Sequence, residues 1–328
     1  MYMKKILFNI RKTLLIFLSK SSILVGGQAV IEGVMMRVPG FYSTAVRDPL
    51  GKIQFQRKKY IPLTEQKNYF NIPIIRGAIH LFESLKIGTQ TLQWSADIAM
   101  PEEEKTNKFV DYLMNVFAIL FAISIFFGIP YFITNYFSHL YSSEFIFNLF
   151  AGFIRIIFFV LYLLLISRMQ DVQNLFQYHG AEHKTVYTFE AGKKLDIKET
   201  YNFPTQHPRC GTSFMFIVMM VAIVTYAIID SIYVDMIGEL HIINRILLHL
   251  IFIPIVSGLG YEVLKISAKY NDILFFKILS KPGIWLQHIT TKNPTDDQVE
   301  VAIYALKTAF GDKIDDYLGK QYKAEAIS

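Results

Sequence analysis

The chain has 328 residues, 52% of them hydrophobic and only 18% charged, against about 25% charged in soluble domains, and its mean hydropathy is +0.33. That composition excludes a disordered, fibrous or wholly water-soluble protein. Its 33 basic and 27 acidic residues leave a net charge of +6, which suits the anionic leaflet of a membrane better than nucleic acid, for which no motif is present, and the single cysteine, Cys210, excludes an internal disulfide.

The segment from Ile6 to Leu18 is interrupted by Arg11 and Lys12 and is too charged for a span. It reads as an amphipathic surface helix, with a removed signal peptide as the weaker alternative. Residues 42–61 alternate around Asp48-Pro49-Leu50-Gly51, the pattern of a β-hairpin with a tight turn. Residues 77–100 read as an amphipathic helix, and Glu102-Glu103-Glu104 as solvated surface. Four apolar stretches, 115–137, 145–167, 213–232 and 242–264, then reach the ~20 residues that a helix needs to cross a hydrocarbon core. In the tail, Thr295 or Asp296 caps a helix that runs through Phe310 and stops at Gly311.

Basic residues set the orientation, because Lys and Arg stay on the cytoplasmic side. Residues 138–144 and 233–241 contain none, whereas Arg168, Lys184, Lys193, Lys194, Lys198 and Arg209 lie between the second and third stretches, and Lys265, Lys269, Lys277 and Lys281 follow the fourth. Both termini and the central connection therefore face the cytoplasm. The expected fold is membrane α-helical, with four transmembrane helices and a cytoplasmic α+β portion. It divides into an N-terminal region (1–108), a first transmembrane hairpin (109–168), a connection (169–212), a second hairpin (213–264) and a tail (265–328).

The chemistry concentrates on the connection. His179, Glu182 and His183 form a His-x-x-Glu-His pattern, in which the imidazoles stand about 40° apart around a helix and about 6 Å apart along it, so both can reach one divalent ion, zinc being the expected metal. Glu182 lies about 60° to the other side of His179, where a carboxylate serves as general base towards water activated by the ion. This is the inverted form of the zincin motif. The third ligand is His207 first and Cys210 next, and Arg209 between them is an anion clamp. Glu190 is about 10 Å beyond His183 on an unbroken helix, so it reaches the same ion only if the helix bends before Gly192. Two other readings stay open: Cys210 as a nucleophile activated by an imidazole, and a purely structural cluster that caps and pairs at the membrane surface.

Several residues elsewhere bear on the same site. Gly26, Gly27 and Gly33 flank an apolar segment whose glycines suit tight packing of the N-terminal sheet, while Glu32 and Arg37 form an ion pair or line the cavity of the histidines. Within the spans, Arg155, Arg245 and His249 are functional candidates because charge at mid-bilayer is costly; Arg245 can snorkel, and Arg155 needs a partner or a cavity. Glu262 is placed to be an acidic ligand or a partner for a histidine.

The stretches from Gly26-Gly27 through Glu32 to Arg37, from Tyr178 to Thr185, from His207 to Phe214 and from Pro282 to Thr291 resemble the YqhQ-like family of bacterial membrane proteins, commonly described as predicted metal-dependent enzymes. The resemblance extends from about Ser22 to Leu306. It implies residence in the bacterial inner (cytoplasmic) membrane, and its patterns fall on His179, Glu182, His183, Glu190, His207, Arg209, Cys210, Glu32, Arg37 and Glu262. The expected function is metal-dependent hydrolysis at the cytoplasmic face, of the peptidase type, with membrane-associated or nascent polypeptides as substrates and the lipid bilayer as partner. A lipid-linked or phosphoester substrate would use the same ion with Arg209. The alternative class is a non-enzymatic assembly or quality-control factor for membrane proteins, in which the cluster is structural. A transporter ranks third, because the polar chemistry gathers on the cytoplasmic side.

Overall fold

A computed structural model describes residues 21–100, 108–137, 139, 143–208, 210–270 and 273–324. The surface helix expected over residues 6–18, the acidic run Glu102-Glu103-Glu104 and the clamp residue Arg209 lie outside these described residues.

Strand β1 (Ser21–Ile23) leads into a four-stranded antiparallel meander of β2 (Gly26–Val30), β3 (Gly33–Val38), β4 (Phe41–Arg47) and β5 (Ile53–Lys59), ordered β2-β3-β4-β5. The expected hairpin is β4–β5: the Asp48 carboxylate accepts from the N–H groups of Leu50 (3.0 Å) and Lys52 (2.9 Å), and Gly51 takes φ = 80° to close the turn. Both faces of the sheet are covered. Val34, Met36 and Ala45 pack into one core with Ala181, Val186, Ala302 and Leu306, while Met35, Tyr42 and Val46 meet Ile87 in another. A strand buried on both sides has no reason to alternate, so β3 reads as a run of apolar residues.

After the short α1 (Leu63–Gln66), α2 (Ile75–Ala99) covers the second face of the sheet. The helix α3 (Lys108–Ile123) continues through a π-helical turn, Ser124–Gly128, into α4 (Ile129–Tyr136). Next come α5 (Glu144–Ile166), α6 (Gln170–Glu190), the one-turn α7 (Ile197–Thr200), α8 (Gly211–Ile237), α9 (Ile242–Lys269), α10 (Leu274–Thr290), α11 (Asp296–Phe310) and β6 (Tyr322–Ala324), which pairs in parallel with β1. Among the described residues four helices are long and apolar enough to cross a membrane: Tyr112–Tyr136, Glu144–Ile166, Gly211–Ile237 and Ile242–Ser267. They coincide with the four stretches expected from hydropathy. Helix α11 starts at Thr295, whose backbone N–H donates to Gln298 Oε1 (2.9 Å), and ends at Gly311.

Two findings depart from expectation. Arg245 does not snorkel: it is 6% exposed and donates to Asp230 (2.8 Å), Glu144 (2.9 Å) and Asn148 (3.3 Å), while His249 Nε2 lies 3.0 Å from Asp230 Oδ1. The acid that holds it there, Asp230 of α8, is fully buried. Polar chemistry therefore also gathers at the ends of α5, α8 and α9 remote from α6. Arg155 has its guanidinium 5.3 Å from the Phe127 ring in the π-helical turn. The second departure is α10, absent from the sequence reading. It packs on α8 and contributes Gln287, a fully buried amide.

Candidate metal centre

Helix α6 begins after three connecting residues that follow α5, and its second half is buried although it is polar: Glu182, His183, Lys184, Thr185, Thr188 and Glu190 are all at most 7% exposed. Buried polar groups need partners: His183 and Lys184 find backbone carbonyls of the segments folded around the helix, Thr188 Oγ1 donates to Lys184 C=O within it, and Glu182 and Glu190 each face a histidine. Lys184 Nζ donates to the carbonyls of Phe203 and Tyr201, holding the connection down on α6. Gln287 of α10 grips the backbone of His207 from the other side. Its Oε1 accepts from His207 N–H (2.6 Å), and its Nε2 donates to His207 C=O (2.8 Å) and Ser213 Oγ (2.9 Å).

The same folding fixes both imidazoles of the motif. His179 Nδ1 is 2.8 Å from the carbonyl oxygen of Thr290, and His183 Nδ1 is hydrogen-bonded to the carbonyl oxygen of Thr205. A carbonyl oxygen only accepts, so each ring carries its proton on Nδ1 and presents a lone pair at Nε2. The rings are 4.4 Å apart between centroids. His179 Nε2 is 3.1 Å from Cys210 Sγ, and one ligand atom from each of His179, His183 and Cys210 lies within 4.8 Å of the others. The sulfur stands at the N-cap of α8, where Thr212 N–H donates to it (3.4 Å). Two imidazole nitrogens and a sulfur are donors that would suit a zinc ion, and carbonyls such as those behind both rings commonly support histidine ligands.

Gly180 is what lets Thr290 come so close. A Cβ there would stand 2.0 Å from the carbonyl oxygen of Lys292, whose N–H donates to Phe176 C=O (2.9 Å). Gly27 plays the matching part on the other wall, where a Cβ would meet Glu182 Cγ at 3.1 Å.

The structure places the remaining sequence candidates as follows. Glu182 is buried, with Oε2 3.4 Å from His183 Nε2. His207, the first choice for third ligand, is adjacent but turned: its ring packs 4.4 Å from Tyr187, its Nε2 is 3.7 Å from Glu190 Oε2, and the cluster is completed by Cys210. Glu190 stays on a straight helix and meets His207 rather than the two motif histidines. Glu32 does not pair with Arg37. It sits in the β2–β3 turn at φ = 50° and accepts from Asn174 and from Tyr178 (3.3 Å), which ties the sheet to α6. Arg37 lies 4.5 Å over the Tyr60 ring and lines the cavity. Glu262 meets Arg76 in a two-pronged pair (2.7 and 2.5 Å) that joins α9 to α2, so it supports the fold beside the cavity rather than the cluster. Burial pushes the pKa of His183 down, and that of His207 down to about 4, against a smaller opposing pull from Glu182 in the second case.

A cavity of about 280 Å³ opens on this cluster, with His179, Glu182, His183 and Cys210 on one wall and Arg37 and His80 on the other. Gln287, His80 and the carbonyls of Thr205 and Thr290 were not read from the sequence. Only Gln287 left a trace there, as a polar residue on the apolar side of a stretch that carries the family resemblance.

These features define a mostly helical protein with four apolar helices long enough to span a bilayer, a small antiparallel sheet and a His-His-Cys cluster in which His183 and Cys210 are buried and His179 is partly so. Residues 72–312 match the model of a family described as a protein of unknown function (DUF1385), and over 295 residues the chain is 32% identical to the uncharacterized protein YqhQ of Bacillus subtilis (strain 168), which covers 85% of this chain and 89% of that protein. The chain belongs to the DUF1385 family, as the resemblance to YqhQ-like proteins implied. No solved structure matches it.

Proposed function

We propose that this protein is a metal-dependent hydrolase of the bacterial cytoplasmic membrane, with both termini and its active site on the cytoplasmic side, and that it cleaves peptide bonds of membrane-associated or nascent polypeptides. The observation that carries the reading is the convergence of two Nε2 lone pairs and one sulfur, with each imidazole tautomer set by a backbone carbonyl. The donors suit zinc, and three protein ligands leave a position open. When bound, the ion supplies Lewis acidity, polarising a carbonyl and lowering the pKa of water. Glu182 then takes a proton from water as the water oxygen bonds to the carbonyl carbon, and delivers a proton to the amine nitrogen as the carbon–nitrogen bond breaks. The buried position of Glu182, 3.4 Å from a ligand histidine, supports that role. Four apolar helices and the Lys/Arg distribution support the membrane and the orientation.

One observation favours the structural alternative. Cys210 caps α8 while both histidines sit on α6, so an ion between them would staple the connection even without turnover. The two readings separate in the full-length chain purified in detergent and given a quenched fluorescent peptide library. The hydrolase reading expects cleavage that Glu182→Gln lowers at least about a hundredfold, with zinc content and melting temperature retained. Zinc binding with no cleavage in the wild type would leave only the staple.

A further inference from the structure

The sheet order leaves β2 at an edge: among the described residues it pairs with β3 alone, and its residues Gly26, Gly27 and Gln28 line the cavity. Residues 24–28 line that cavity, between α2 on one side and the motif face of α6 on the other. In an antiparallel ladder every second residue of an edge strand turns its N–H and C=O outward, where an extended peptide can pair with them. The Gln28 side chain is tied to α2, its Nε2 donating to Thr91 Oγ1 (2.9 Å), and just past the far end of β2 the Ile31 N–H donates to Ser95 Oγ (3.1 Å). At about 280 Å³ the space is at the small end of ligand pockets, which run to about 1,000 Å³, and holds a chain end rather than a long segment.

A charge marks which end. Arg37 stands directly opposite Gly26 in the β2–β3 register. It lines the cavity and rests on the Tyr60 ring, with no hydrogen bond or ion pair to any other described residue. By contrast Arg47 and Arg76 each hold a carboxylate. A guanidinium with its fork unspent, on the wall of a partly enclosed apolar cavity, matches a carboxylate ligand. The remaining wall includes Leu81, Ile87, Val186 and Phe214, which favours apolar side chains.

We propose that the cavity binds the carboxyl-terminal end of a peptide as a short added strand along β2, with the terminal carboxylate on Arg37 and apolar side chains in the cavity. The proposal rests on the hydrolase reading only for what happens next to the bound peptide. A fatty acid shares the carboxylate and the apolar body but has no backbone N–H and C=O to pair with a strand edge, and the strand edge favours the peptide.

The test uses the full-length chain in nanodiscs, carrying Glu182→Gln so that no probe is consumed, with fluorescence anisotropy as the readout. The probes are fluorescein-labelled Ala-Ala-Leu-Leu as the free acid, the same peptide as the C-terminal amide, the free acid with its alternate backbone nitrogens methylated, and fluorescein-labelled dodecanoate. The free acid binds about tenfold or more tighter than the amide or the methylated peptide. Arg37→Gln brings the acid down to the amide and leaves the amide unchanged, and Arg37→Lys, which keeps the charge but not the fork, falls between. Equal binding of acid and amide, a preference that survives Arg37→Gln, or dodecanoate binding as tightly as the acid peptide overturns the proposal. Repeating the titration in EDTA separates it from the metal reading: Arg37-dependent binding in a protein that never held zinc defeats the hydrolase alone, and cleavage without an acid preference defeats this proposal alone.

Discussion

His179 and His183 each hold Nδ1 against a carbonyl supplied by another segment of the chain, so the proposed metal centre depends on residues that would never touch an ion. Gly180→Ala tests this dependence. The new methyl overlaps Lys292 C=O, and relieving the overlap moves Thr290 off His179 Nδ1. Zinc affinity, measured by competition with a chelating dye, is expected to fall about tenfold to a hundredfold although every ligand remains. His207 supplies a second residue-scale test through pH. Its folded pKa of about 4 lies below the unfolded value of about 6.5, so as pH falls the unfolded chain takes up the proton first. The stability this protects is complete above about pH 6.5 and is lost down to about pH 4, at most roughly 3 kcal/mol. In EDTA-treated protein the melting temperature should drop over that range, and His207→Gln should flatten the drop; an unchanged slope contradicts the assignment. That His179, Glu182 and His183 lie close together was legible because their spacing is local. That Cys210 groups with the two imidazoles while His207 packs on Tyr187 was not legible, since the His207 backbone is held by Gln287, 80 residues away.

At the scale of elements, hydropathy located the four long helices because lipid-length apolar runs are a one-dimensional signal. It did not show what holds them together. The Asp230 carboxylate, fully buried, accepts from Arg245 and faces His249, and Arg245 also reaches Glu144, so three helices share one network. Asp230→Ala leaves Arg245 and His249 buried without their shared acid, at a cost on the order of 3 kcal/mol. Thermal unfolding in detergent should show it, and a melting temperature within about 1 °C of wild type would contradict the network's role. The β4–β5 hairpin was legible from alternation and Asp48-Pro49-Leu50-Gly51. Strand β3 was not, because covering both faces removes the alternation, and α10 was missed because its Pro282-Gly283 pair reads as a break when it lies inside a helix.

On the scale of the whole molecule, the sheet, α6 and α11 come from the N-terminal region, the connection and the tail, yet they share one core. The cluster sits where that core meets α8 and α9, whose Phe214, Tyr261 and Leu264 line the same cavity. Elemental analysis of the full-length protein, purified without added metal or chelator, tests the account most directly. Close to one zinc per chain, lost in both His183→Ala and Cys210→Ser while each variant still elutes as folded protein, is the expected result. A wild-type protein free of stoichiometric transition metal, or variants that keep it, would contradict the centre and the hydrolysis built on it.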